Sequence, residues 1–224
     1  MMCADLARSA RVAGAILVVL ALLSCTGSPP EILYPDARLS LVRDPGTGDI
    51  AEVLRLFVAA RDPDGSGDPA RIYLVHDAEQ LYWEMDRSAW AYVEHAGDHW
   101  YGMPDLRMPD GETLPRGRYR IILEDGALAR DEIDLFLTAD VLDRDQPFPR
   151  LRIDGSTLTV DYVSDVILRV YNRSGRMLVN RIVQPGSVPD DVVGLIPEES
   201  GILAFVSTTG EAVRRESGPY PLDR

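Results

Sequence analysis

Leu114-Pro115-Arg116-Gly117-Arg118-Tyr119-Arg120-Ile121-Ile122-Leu123 holds a loop end and a strong strand side by side. Pro115 and Gly117 break the chain, and from Arg118 onward Tyr119, Ile121 and Leu123 alternate with other residues at a period of two. That period belongs to a strand with one face on a core. The pattern repeats outward in both directions. Glu124-Asp125-Gly126 is a turn, and Glu132 to Thr138 alternates again. Upstream, a Pro- and Gly-rich loop covers Met103 to Arg116. Before it come candidate strands at Ala37 to Arg43, Arg71 to His76, Leu81 to Met85, Ala89 to Glu94 and His99 to Gly102. Glu52 to Arg61 fits two periods, since Leu54, Leu56, Val58 and Ala60 share a strand face while Val53, Leu54, Phe57 and Val58 suit a helix. Its neighbours are strands, which favours the strand. Short segments at this spacing, with no long amphipathic helix, predict an all-β chain built as antiparallel β-sandwiches.

After Leu137 the pattern pauses. Residues 139–150, with Asp140, Asp143, Asp145, Pro147 and Pro149, read as a linker. It then restarts in alternating sets at Leu151 and Ile153; at Leu158, Val160 and Tyr162; and at Val166, Leu168 and Val170. Further strands follow at Met177 to Val183, Ile202 to Val206 and Ala212 to Arg215. Two small domains are expected, at 36–138 and 151–224. The Leu114, Gly117 and Tyr119 pattern resembles the Leu-x-x-Gly-x-Tyr corner of fibronectin type III and immunoglobulin-like domains. The resemblance implies a structural role for Tyr119, whose hydroxyl would bond back to the backbone of the loop entering its strand.

The N-terminus points to export. Arg8 and Arg11 precede an apolar run from Val12 to Leu23. A bilayer needs about 20 apolar residues in a helix, so the run is too short to span and suits a secretory signal segment. It ends in Leu22-Leu23-Ser24-Cys25, which resembles the bacterial lipobox. The resemblance implies a signal peptide at 1–24, cleavage after Ser24 and acylation of Cys25, with residues 25–35 as the acylated cysteine and tether. The other cysteine of the chain, Cys3, lies inside the expected signal peptide, so the mature chain would hold no internal disulfide.

Composition narrows the partners. The formal net charge is −13, there is no lysine, and removal of residues 1–24 would leave the remainder one unit more negative. Such a surface repels nucleic acid and anionic headgroups, so no nucleic acid and no polybasic membrane mode are expected.

Candidate chemistry is sparse. Asp62, Asp64 and Asp68 alternate as calcium-loop carboxylates do, but the twelfth position counted from Asp62 is Tyr73, which excludes an EF-hand. The sequence Asp62-Pro63-Asp64-Gly65 also makes an ordinary inter-strand turn. Among the histidines His76, His95 and His99, the last two are four apart, a zinc spacing on a helix but not across a hairpin. No Gly-x-Ser-x-Gly elbow and no phosphate-binding glycine loop occur, and acidic pairs are too plentiful to mark a glycosidase, so neither enzyme activity nor a cofactor is expected. Trp83, Trp90 and Trp100 cluster with Tyr82, Tyr92 and Tyr101. Adjacent aromatics in a strand face opposite ways, which leaves Trp90, Tyr92, Trp100 and Tyr101 as candidates for an exposed ligand-binding patch. The expectation is a non-enzymatic lipoprotein of the cell envelope. It would be anchored to the outer or cytoplasmic membrane and display binding or scaffolding domains toward an envelope protein or glycan. The rival is a surface carbohydrate-binding lipoprotein using that patch with calcium.

Overall fold

The computed structural model describes residues 28–222 except 96, 142, 175, 199, 211 and 212. The expected signal peptide and Cys25 lie outside the described residues. The chain is nearly all β. The first half contributes β1 (Glu31–Arg43), β2 (Ile50–Arg61), β3 (Pro69–His76), β4 (Leu81–Asp86), β5 (Ala91–His95), β6 (Asp98–Leu106), β7 (Gly117–Asp125) and β8 (Arg130–Leu137). The second contributes β9 (Arg150–Asp154), β10 (Thr157–Asp161), β11 (Val166–Tyr171), β12 (Met177–Val183), β13 (Gly186–Ser187), β14 (Leu203–Thr208) and β15 (Arg214–Pro221), with one short helix, α1 (Asp190–Val193). Among the described residues no helix is long and apolar enough to cross a membrane.

Three sheets organise these strands. The largest runs β12-β11-β14-β15-β1-β2-β6-β5, a second runs β4-β3-β7-β8, and a third runs β13-β10-β9. One buried cluster joins Leu54, Leu56, Val58 and Tyr101 of the large sheet to Ile72, Leu74, Met85, Tyr119, Ile121 and Leu123 of the four-stranded sheet. A second joins Val166, Leu168, Val170 and Val206 of the large sheet to Leu151, Leu158 and Val160 of the three-stranded one. Each fully buried Leu or Ile in these clusters contributes about 1.5–3 kcal/mol relative to exposure.

The large sheet crosses the segment read as a linker. β15 pairs in parallel with β1, Ser40 opposite Arg214 through Arg43 opposite Ser217, whereas its other ladders are antiparallel. The linker stretch is itself anchored. Phe148 is buried, Arg144 reaches the carbonyl of Gly111, and Gln146 accepts from Arg215. The segment read as tether also differs, because β1 begins at Glu31. Pro35 is tolerated there because β15 covers only residues 40–43, leaving the rest of β1 an edge on that side.

β2 is a strand that buries residues on both faces, with Arg55 exposed among them. Leu54, Leu56, Val58 and Ala60 enter the first cluster, while Val53, Phe57 and Ala59 are buried without belonging to it. An interior strand buried on two sides shows a continuous apolar run, which is why its sequence also fits a helical period.

Candidate functional site

The corner at Leu114–Tyr119 is bolted from three directions. The Tyr119 hydroxyl donates to the carbonyl of Pro115 at 2.7 Å, and the ring is fully buried. Burial pushes its phenol up to about 12. Glu52 of β2, buried itself, accepts from the Leu114 N–H at 2.7 Å and from both terminal nitrogens of Arg116 at 3.0 and 2.6 Å. Arg116 also donates to the carbonyls of Leu114 and Ala139. His76 of β3 takes the Glu79 N–H on Nδ1, so its proton sits on Nε2 and reaches the Arg116 carbonyl at 3.3 Å. Glu52, Leu114, His76 and Tyr119 are buried, and their bonds fix the corner.

The aromatic candidates do not form one patch. Register places Trp100 opposite Ala59 and Val93, and Ala59 opposite Tyr34, so these share one face of the sheet. Tyr101, opposite Val58 and Tyr92, stands on the other face. Tyr101 is a core residue, 3% exposed, and its hydroxyl donates to the Ser66 carbonyl at 2.6 Å. Burial pushes its phenol up to about 12. Trp90 is half-buried against that cluster with its ring 5.5 Å from Tyr101. Tyr92 is exposed on the edge strand, stacked on His99 and bonded to its Nδ1 at 2.7 Å. On the opposite face Trp100 meets exposed Tyr34 edge-on, at 5.2 Å and 74°. A sugar platform needs near-coplanar exposed rings, and neither the Tyr34–Trp100 pair nor the Tyr92–Tyr101 pair, tilted at 46°, offers one. Trp83 lies against the first cluster and donates to the Arg107 carbonyl at 3.2 Å, while its neighbour Tyr82 is exposed.

His95 pairs with Asp98 and His99 with Glu94 across the β5–β6 hairpin, so the two histidines point to opposite faces and cannot share an ion. The carboxylates near Asp62 do converge, but in a different set from the one the sequence suggests. β2 ends at Arg61, and the loop that follows delivers Asp68 just before β3, whose Pro69 pairs with Asp125 at the end of β7. One carboxylate oxygen from each of Asp62, Asp68 and Asp125 lies within 4.8 Å of the others. Burial raises the Asp62 carboxyl above its ordinary range. The Asp64 N–H opposes that rise, and the charges of Asp68, Asp64 and Asp125 add to it. Asp64 turns away and accepts from the Ser28 N–H at 2.7 Å. Sequence reasoning missed Asp125 because it read Glu124-Asp125-Gly126 only as a turn; the β3–β7 pairing carries it to the Asp62 loop.

In the second half, a half-open cleft of about 600 Å³ runs between β10 and α1, lined by Thr157, Ser187, Asp190 and Glu198 among others.

No family model matches the chain, and no curated protein matches it. Solved structures with related outlines are β-rich. The chain is similar to a dimeric latent PorU from Porphyromonas gingivalis, at 14% identity and a TM-score of 0.34 over 87% of this chain and 20% of that one. It is also similar to Tp47, the 47-kilodalton lipoprotein of Treponema pallidum, at 13% identity and a TM-score of 0.40 over 87% of this chain and 52% of that one. The chain thus spans about a fifth of the first and half of the second.

Proposed function

We propose that the chain is a non-enzymatic cell-envelope lipoprotein, exported and acylated on Cys25, whose β-sheet body serves as a binding or scaffolding module. The observation that carries this reading is Leu22-Leu23-Ser24-Cys25 at the end of the apolar run from Val12. A cysteine in that setting, in a chain whose remaining cysteine is Cys3, has acylation as its simplest use. The body is read as two fibronectin- or immunoglobulin-like sandwiches, 36–138 and 151–224, sharing the long sheet. Two separate buried clusters and the Tyr119 to Pro115 bond support that reading. The glycan-binding alternative is weaker, because Tyr101 is buried and the remaining aromatics divide between two sheet faces.

Cell fractionation tests the proposal. Wild-type protein is expected in the membrane fraction, resistant to high salt and released by detergent, as two-chain acyl anchoring requires. Cys25→Ser is expected to lose that detergent-dependent release. Equal behaviour of the two proteins would overturn the reading.

A further inference from the structure

We propose that Asp62, Asp68 and Asp125 form a binding site for one calcium ion, tying the β2–β3 loop to the β7–β8 turn. The proposal is independent of how the chain is anchored. Three carboxylate oxygens within 4.8 Å of one another can all touch a single ion at the calcium–oxygen distance of about 2.3–2.6 Å, because two ligands on opposite sides of such an ion lie about twice that apart.

The second observation concerns partners. Asp125 is fully buried; its Oδ1 accepts the N–H groups of Ala127 and Ala129, both at 2.8 Å, and its Oδ2 has no partner among the described residues. Asp62 Oδ2 is likewise buried and unpartnered, while its Oδ1 takes the Asp64 N–H. A buried charged oxygen without a partner is costly, and two beside a third carboxylate are more so. Elsewhere this chain meets the same problem with arginine: Glu52 with Arg116, and Glu124 with Arg71 and Arg130. Among the described residues no arginine pairs with Asp62, Asp68 or Asp125. Arg87 comes closest in function, but its guanidinium donates to the carbonyls of Asp68 and Pro69 instead of the carboxylates. A divalent cation supplies the positive charge that no side chain does.

The donor set selects the ion. All three ligands are hard oxygens, with no histidine or cysteine among them, which suits calcium over zinc or copper. Magnesium gives up its waters reluctantly and favours sites with fewer carboxylates. The frame is also preorganised. The Gly126 N–H donates to the Asp68 carbonyl at 3.1 Å, and a Cβ on Gly126 would sit 3.0 Å from Asp68 Oδ1. The Tyr101 hydroxyl holds the same loop through the Ser66 carbonyl.

Calcium chloride titrated by calorimetry into the full chain, purified in detergent and stripped with chelator, tests the site. One ion per chain is expected, with a dissociation constant on the order of 10⁻⁴–10⁻³ M. The unfolding midpoint should rise by about 5 °C at about 10 mM calcium. Asp62→Asn and Asp125→Asn should each lose the calcium response by at least about tenfold in affinity, yet keep their backbone hydrogen bonds through Oδ1. Asp64→Asn should retain it within a few-fold. If Asp125→Asn does not fold, the Asp62→Asn comparison and the wild-type titration decide. Absence of a wild-type response, an equal response to magnesium, or undiminished binding in Asp62→Asn would overturn the proposal.

Discussion

Tyr119 and Glu52 show how a corner is fixed by single groups. The Tyr119 hydroxyl makes one bond, to Pro115, so Tyr119→Phe should cost about 1 kcal/mol of stability with an unchanged denaturant slope. Its phenol is pushed up to about 12 from an ordinary 10.0. A raised folded value means a contribution that is full below the unfolded value and lost as pH rises through the folded one. The fold should therefore weaken in the alkaline range from about pH 10 upward. Ultraviolet titration should show the Tyr119 and Tyr101 phenols ionising only at about pH 12, and Tyr119→Phe should remove one of those two late phenols. An unchanged alkaline titration would contradict the buried corner. Glu52 carries more. Its side chain is fully buried, and its loss leaves the Leu114 N–H without an acceptor and the Arg116 guanidinium without its carboxylate, with only backbone carbonyls to receive it. Glu52→Ala is expected to cost about 3–5 kcal/mol, read from urea unfolding. A cost no larger than that of Tyr119→Phe would show that Arg116 finds other acceptors.

At the scale of elements, β6 lies close on β2 at Gly102. A Cβ on Gly102 would lie 2.0 Å from the Leu56 carbonyl oxygen and 2.6 Å from the Phe57 Cα, both backbone atoms that cannot step aside. Gly102→Ala is expected to cost about 3 kcal/mol, while Gly67→Ala, with open space around it, should be near neutral in chemical denaturation. Similar costs at both positions would contradict the close packing of β6 on β2. The same strand shows what the sequence could and could not reveal. Alternation in Tyr119, Ile121 and Leu123, and in Val166, Leu168 and Val170, read directly as strands, because one face meets a core and the other does not. β6 reads as ending at Gly102 because Pro104 follows. It continues to Leu106 because the register shifts between Leu54 and Leu56, and a proline is tolerated at such an irregularity. Tyr101 looked exposable, since adjacent aromatics must face apart, but the sequence does not say which of Trp100 and Tyr101 faces the core. The Asp62 loop showed its carboxylates, yet Asp125 lies 57 positions beyond Asp68 and only the β3–β7 register brings it there. Long-range pairing leaves no local pattern, and the parallel seam of β1 with β15 was hidden for the same reason.

For the molecule as a whole, that seam makes one sheet span both halves of the chain, and Val213 from the second half joins the first buried cluster. The body it organises is strongly acidic, which keeps it off anionic lipid surfaces unless something else holds it there. Acyl chains on Cys25 would do so without any basic patch, and residues 26–30 would give the body a short reach from the bilayer. Anchoring is therefore the claim on which the functional account turns. Mass spectrometry of the N-terminal peptide, taken from protein extracted with detergent from bacterial membranes, tests it directly. The account predicts a peptide that begins at Cys25 and carries a diacylglyceryl group on Sγ and an acyl chain on the new amino group. A mature N-terminus elsewhere, or an unmodified thiol on Cys25, would contradict it.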